Sequence, residues 1–375
     1  MKGFFVLTGG FPSQVIDSQV LIHCKEMRNI GIEFHICSIA TNEEQYIYAL
    51  NRLDEVKSIS QCTASIIKGI KPALPFSEKI NALILKKEIS KYDYELIHAR
   101  GDYTSHIVSL ITNNFIWDCR GDRLAEFDTQ YKNSKNILGK YYKRYKIKKN
   151  IYHAKTANKA IFVSSFLKNK FNFQKDSFII GCVADEKLFY FDKSLRNQIR
   201  EQLNISADEN ILVYSGSITF YQMFDECLEL FSHLNSSWKF LVLTQDIELA
   251  LKKLNGADIN RIILKSAQLS EVNGYLNASD VGILLRENND LNRAASPTKY
   301  AEYAMSGLSI LHSDDIGDLD VYDETIKNRL FDNDLNNLKI DLDNREQLAQ
   351  KAKLLSKQNN LMQYKELYGI KNEIE

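Results

Sequence analysis

Between positions 296 and 307 the chain reads Ser-Pro-Thr-Lys-Tyr-Ala-Glu-Tyr-Ala-Met-Ser-Gly. Ser296 suits an N-cap, Pro297 a first helical position and Gly307 the position just past a helix end, so the segment predicts a short, well-delimited helix. The N-terminus of such a helix exposes amides and carries about half a positive charge, which makes it a phosphate site. Lys299 in the first turn has the wrong sign for the helix dipole and the right sign for an anion docked at that mouth. Glu302, one turn after Thr298, stands near the same mouth and can accept hydrogen bonds from a pair of sugar hydroxyls. The plainer alternative is a surface helix with an ordinary lysine and glutamate. Arg286 and Arg293, just upstream, add charge that can pair with a diphosphate through forked donors, although one of them can equally be a solvated arginine.

Three other segments carry candidate chemistry. Gly9 and Gly10 in Leu7-Thr-Gly-Gly-Phe-Pro-Ser13 follow a strand and let a ligand approach the backbone closely. That loop lacks GxGxxG, which disfavours a nicotinamide or flavin site. His98-Ala-Arg100-Gly-Asp102 and Asp118-Cys-Arg120-Gly-Asp122 each end an apolar strand, and such polar clusters are expected to line a cleft. His98 alone also reads as a satisfied core histidine. Residues 132–155 hold nine Lys or Arg and no acid, interleaved with Tyr141, Tyr142, Tyr145 and Tyr152. They read either as a solvated helix face or as a basic, aromatic surface for anionic lipid head groups or a lipid-diphosphate acceptor. Asp318-Leu-Asp320 and Asp341-Leu-Asp343 only mimic an acidic metal motif. The seven histidines show no ligand spacing, and no GxSxG is present.

These segments need elements to position them. Short apolar runs at 3–8, 33–39, 64–69, 95–99, 114–120, 159–164 and 177–182, then at 210–215, 239–245, 261–266, 281–287 and 308–313, read as strands. Several are continuously apolar, as parallel strands covered on both faces are. Amphipathic stretches lie between them; Ile16, Val20, Cys24 and Met27 share one helix face. The alternation predicts an α/β fold with parallel sheets, whose ligands bind beyond the carboxyl ends of strands. Residues 121–157 read as helical and 185–209 as a polar linker. The 375 residues thus divide into doubly wound domains at 1–184 and 185–355, with a helical tail at 356–375.

Composition narrows the partners. Forty-eight basic residues balance forty-eight acidic ones, against the basic excess a nucleic-acid binder carries. The six cysteines show no CxxC pair, which fits free thiols in a reducing compartment. No apolar run is long enough to span a membrane. The opening MKGFFVLTGG reads as a first strand rather than a signal peptide, so a cytoplasmic protein is expected.

The whole plan resembles the GT-B glycosyltransferases, and the second half resembles retaining glycosyltransferase family four. The resemblance rests on Tyr214-Ser215-Gly216-Ser217, on Asn277-Ala278-Ser279-Asp280-Val281-Gly282, and above all on Ser296-Pro297-Thr298-Lys299 with Glu302-Tyr303 and Ser306-Gly307. Asp118-Cys119-Arg120-Gly121, Val163-Ser164 and 180–189 also fit. It implies two Rossmann-like domains facing each other across a cleft, with the last helix crossing back to the first. A nucleotide-sugar donor would be held by the second domain through Ser215, Gly216, Arg286, Arg293, the 296–299 turn and the ribose-binding Glu302, with Gly9 and Gly10 beside the diphosphate. The acceptor, a glycan or a lipid-linked sugar, would be held by His98, Arg100, Asp118, Arg120 and Asp122. Arg120, Lys299 and Glu302 would be catalytic, and neither metal nor cofactor is expected.

The chain also departs from the family. The first of two paired glutamates is replaced by Ala294, the usual basic pair by Thr219-Phe-Tyr-Gln-Met223, and a histidine often found after the fifth strand is replaced near Arg120. The reading is therefore a retaining sugar transferase of bacterial surface polysaccharide synthesis, cytoplasmic and on the inner face of the membrane through residues 132–155. The alternatives are an epimerase or hydrolase on the same fold, and a non-catalytic sugar-nucleotide- or polysaccharide-binding subunit.

Overall fold

A computed structural model describes residues 1–12, 16–132, 135–256, 258–331, 335, 338, 340–356 and 361–370. The chain forms two compact units, one of residues 1–181 with 363–375 and one of residues 182–362.

The first unit is built on seven parallel strands: β1 (Lys2–Thr8), β2 (Glu33–Ala40), β3 (Thr63–Lys68), β4 (Leu96–Arg100), β5 (Phe115–Cys119), β6 (Lys159–Phe162) and β7 (Asp176–Ile179), in the order β3-β2-β1-β4-β5-β6-β7. Strand order reverses between β1 and β4, and a crevice for ligands opens at such a reversal. Phe4, Phe5, Val6 and Leu7 are all buried, as a centrally placed parallel strand requires. Ile16, Val20, Cys24 and Met27 are buried together on one helical face. The 121–157 stretch folds as helices Arg123–Gln130 and Ile137–Ala154.

The second unit carries six parallel strands: β8 (Asn210–Ser215), β9 (Trp238–Leu243), β10 (Ile262–Lys265), β11 (Val281–Leu284), β12 (Ser309–His312) and β13 (Arg329–Leu330), in the order β10-β9-β8-β11-β12-β13. Its reversal lies between β8 and β11. Apolar clusters cover both faces of the sheet, one around Tyr303 and Ile310, the other around Trp238 and Phe240.

Two expectations change. The division falls at 181/182 because Ala184 and Phe189 already belong to the second unit's core. Residues 185–209 are not a free linker: they contain the helix Lys193–Gln202, whose buried Arg196 and Arg200 reach the helix Leu269–Ala278. Arg196 Nη1 donates to the carbonyl oxygens of Asn277, Ala278 and Ser279 at 2.9–3.0 Å, and its Nη2 lies 2.6 Å from Asp280. Arg345 adds a bond to the Leu276 carbonyl at 2.9 Å. The arginines add bonds to the carbonyls at this helix end, and the buried Asp280 carboxylate offsets part of their charge.

Candidate functional site

At the β8/β11 reversal, Tyr303 ties the 298–305 helix to the sheet. Its hydroxyl accepts a hydrogen bond from the Ser215 amide at 2.9 Å, and its ring lies so close to Gly282 that a Cβ there would sit 2.4 Å from it. Glycine at 282 is therefore what lets the helix dock. Gly216 follows β8 at φ +150°.

Arg286, just past β11, is half-buried among Tyr214, Tyr221 and Tyr303. Its Nη1 donates to the Leu285 carbonyl at 3.1 Å, and its guanidinium lies 5.7 Å from the Tyr221 ring centre. Burial pulls its pKa below the usual arginine value. Among the described residues no carboxylate pairs with it. A partly desolvated cation without a counter-ion at a sheet crevice is a place for an anionic ligand.

The helix Thr298–Met305 departs from its sequence reading at one end and matches it at the other. Pro297, at φ −68° and ψ 122°, holds the N-cap position, and no side chain caps the helix. Ser296 Oγ instead accepts a bond from the Cys182 amide at 2.8 Å, across 114 positions of sequence. Gly307, at φ +70°, closes the C-terminus: its amide bonds the Ala304 carbonyl at 2.9 Å, and the Leu308 amide bonds Tyr303 at 3.0 Å. Lys299 Nζ and Glu302 Oε2 pair at 3.0 Å at the open mouth. Arg293 bonds Asn288 at 2.8 Å and lies 3.6 Å from Asp290, within its own loop. Ala294, where the resemblance puts a carboxylate, has no exposed surface.

In the first unit, Gly9 and Gly10 both have positive φ, 108° and 74°. A Cβ on Gly10 would meet the Gln45 carbonyl at 2.7 Å, whereas nothing lies within 4 Å of one on Gly9. Gly10 serves the chain crossing, and Gly9 leaves open space. Ser13, the last residue of that loop reading, lies outside the described residues.

Asp118, expected to touch an acceptor, is fully buried and acts as a hub. Arg120 Nε lies 2.6 Å from its Oδ1, while Arg100 Nη1 and His98 Nε2 each lie 3.3 Å from its Oδ2. Burial alone would raise the Asp118 pKa; Arg120, His98 and Arg100 more than reverse this and hold it well below the carboxylate range. His98 is also fully buried, stacked on Phe5 at 4.3 Å, with Nδ1 2.9 Å from the Tyr368 hydroxyl. Burial pulls its pKa down. Asp122 caps the 123–130 helix through bonds from the Leu124 and Ala125 amides, both 3.0 Å, and pairs with Lys170 at 2.7 Å. His98, Asp118 and Asp122 thus face the interior, because strand-end polar groups here are consumed by neighbouring cations and amides. Of the five expected acceptor residues, Arg100 and Arg120 alone reach open space.

That space is a cavity of about 630 Å³ entered by Arg100, Arg120, Asp102, Tyr103, Tyr131 and Tyr142. Sequence reasoning missed two of its supports. Tyr364, on the helix Met362–Tyr368, accepts a bond from Arg120 Nη2 at 3.2 Å, and the Tyr368 hydroxyl lies 2.9 Å from His98 Nδ1 across 270 positions. Asp102, named in the sequence only as part of its strand-end cluster and given no role of its own, accepts a bond from Trp117 Nε1 at 3.1 Å. Burial pushes the Asp102 carboxyl up to about 7, against the Trp117 bond.

Because the folded state holds that proton more tightly than the unfolded chain, its contribution favours folding at low pH, falls as pH climbs from about 4 to 7, and is level above. Asp102→Asn keeps the Trp117 bond and removes the titration. Relative to wild type it should match near pH 4 and be more stable by about 1–3 kcal/mol at pH 8, read by urea unfolding at the two pH values. A pH-independent difference would show that Asp102 ionises normally.

No protein-family model matches the chain, and no curated protein sequence matches it. Solved structures do. HepE of Anabaena, in complex with UDP and glucose, aligns with TM-score 0.70 at 11% identity, covering 98% of this chain and 100% of that one. Sucrose-phosphate synthase from Thermosynechococcus elongatus aligns at 0.67 and 14%, covering 98% of each chain. A glycosyltransferase from Rickettsia africae aligns at 0.67 and 16%, covering 98% and 97%. The fold is accordingly that of the GT-B glycosyltransferases, with two Rossmann-like α/β domains.

Proposed function

We propose that the protein transfers a sugar from a nucleoside-diphosphate sugar to a glycan or lipid-linked acceptor, with retention of configuration, in surface polysaccharide assembly. The observation that carries the reading is Arg286: a half-buried cation without a carboxylate partner among the described residues, at the β8/β11 strand ends where a helix N-terminus also lacks a side-chain cap. The complex of the HepE neighbour with UDP and glucose supports a nucleotide sugar as donor.

In this reading the diphosphate gains negative charge as the glycosidic bond breaks, and Arg286, Lys299 and the first-turn amides meet it. One preorganised donor of this kind is typically worth ~3 kcal/mol of barrier. Glu302 takes the ribose hydroxyls, releasing Lys299 from its ion pair to the phosphate. Ser215 and Gly216 shape the floor of the site. The acceptor occupies the first unit's cavity, with Arg100 and Arg120 held in place by Asp118. The leaving phosphate accepts the acceptor's proton, and no metal is needed, so transfer should persist in EDTA.

Lys299→Ala and Glu302→Ala are the direct test. Each should lower transfer by about 10–100-fold while the circular dichroism spectrum is unchanged. Near-normal rates in both would overturn the donor site. One observation favours a second stereochemical reading. Asp102 lines the cavity with a proton affinity near neutrality, which suits a base that deprotonates an acceptor hydroxyl. An inverted anomeric configuration, seen by proton NMR of the product, would end the retaining reading, and loss of transfer in Asp102→Asn would then assign the base role to Asp102.

A further inference from the structure

The helix Ile137–Ala154 packs only one side. Asn150, Ile151 and Ala154 are buried; Asn150 lies 2.8 Å from His106, and the His106 and His153 rings stack at 4.0 Å. The other side is an exposed stripe at helical spacing: Leu138, Tyr141, Tyr145, Lys148 and Tyr152. Beside it runs the 72–77 segment, fixed to the helix by Lys146, which donates to the Leu74 carbonyl and the Ser77 hydroxyl at 3.1 Å and pairs with Glu78 at 2.9 Å. Phe76, Ile137, Leu138 and Tyr141 are between 71% and 84% exposed. Large apolar side chains exposed singly are ordinary, but a contiguous set marks an interaction face.

Charge identifies the partner. Residues 132–155 hold nine of the 48 basic residues and none of the 48 acidic ones, so the rest of the chain has 39 basic against 48 acidic. Among the described residues Lys140, Lys148 and Lys149 have no acidic partner within ion-pair distance. A second copy of this face would oppose cation to cation. Nucleic acid would meet the lysines but leave Ile137 and Leu138 in water. A bilayer with anionic head groups takes both: the apolar tips enter the head-group boundary and the lysines reach the phosphates.

We propose that the 137–154 helix and the 72–77 segment form a docking face for an anionic membrane. Tyr142 and Lys146 belong both to this helix and to the wall of the first unit's cavity, so an acceptor borne by that membrane would enter beside the docked face. This last step rests on the sugar-transfer reading; the docking does not.

Sedimentation with vesicles tests it. Wild type should pellet with phosphatidylcholine vesicles containing about a third phosphatidylglycerol, not with phosphatidylcholine alone, and raised salt should release it. Lys140→Glu/Lys148→Glu and Leu138→Ser/Tyr145→Ser change residues outside the cavity, Lys140 half-buried and the others exposed, and each should weaken binding at least ~10-fold. No binding to anionic vesicles, or equal binding by the variants, overturns the proposal. So does a concentration-dependent dimer that the variants abolish in the absence of vesicle binding, which would assign the face to a second copy. Nucleotide binding by the same proteins is read separately by thermal shift. Vesicle binding without nucleotide binding leaves the docking face standing and removes the transferase reading.

Discussion

Asp118→Ala should destabilise the first unit by about 3–5 kcal/mol, the usual cost of removing one partner from a buried ion pair. The substitution leaves Arg100 and Arg120 converging on an empty space beside the fully buried His98. The two tryptophans make the effect readable by unit: Trp117 is buried in the first and Trp238 in the second. In a Trp238→Phe background, Trp117 fluorescence should report a strongly lowered urea midpoint. Asp118→Asn, which keeps acceptor capacity and loses the charge, should fall between. A loss below about 1 kcal/mol in the alanine variant would mean that the arginines find other partners and that Asp118 positions nothing. Because its pKa is depressed, Asp118 contributes its stability above about pH 4 and loses it as pH falls below, so the variant's penalty should shrink in acid.

Arg286→Ala carries the largest expected effect on activity, a ~10²–10³-fold fall in kcat/KM for the nucleotide sugar. The charge that develops on a leaving diphosphate is greatest in the transition state, so kcat should fall along with affinity. Stability should hold or rise slightly, since a half-buried cation without a counter-ion costs free energy in the unliganded protein. Arg286→Lys should recover only part of the rate, because an ammonium lacks the forked donors. A variant within about fivefold of wild type would place the diphosphate elsewhere.

Much of the fold was legible because apolar runs in a parallel sheet are nearly continuous. The 210–215 strand matches its reading, and most others differ by one to three residues at their ends. The helix Lys193–Gln202 was hidden for another reason: its most buried positions are Arg196 and Arg200, and its apolar stripe is narrowed to Leu195 and Ile199 within an otherwise polar, charged stretch. Two-residue β13 is too short to leave a pattern. At the donor end, residue types announced the helix and its Gly307 stop. They could not announce that Ser296 turns from its own helix to an amide 114 positions earlier. In the first unit, His98 and Arg120 each meet a tyrosine remote in sequence, Tyr368 and Tyr364, while Asp118 is consumed by Arg100, Arg120 and His98, a convergence of side chains that strand-end residue types do not announce. The value of Arg286 was visible as a charge after a strand; that no carboxylate among the described residues pairs with it was not.

The most direct test is titration calorimetry of the intact protein with UDP, GDP, ADP and CMP, repeated with Arg286→Ala. One diphosphate should bind wild type at micromolar strength, on the order of −8 kcal/mol, and at least tenfold more weakly to the variant. Equal binding to both proteins, or binding of none of the four nucleotides, would contradict a donor site at the ends of β8 and β11.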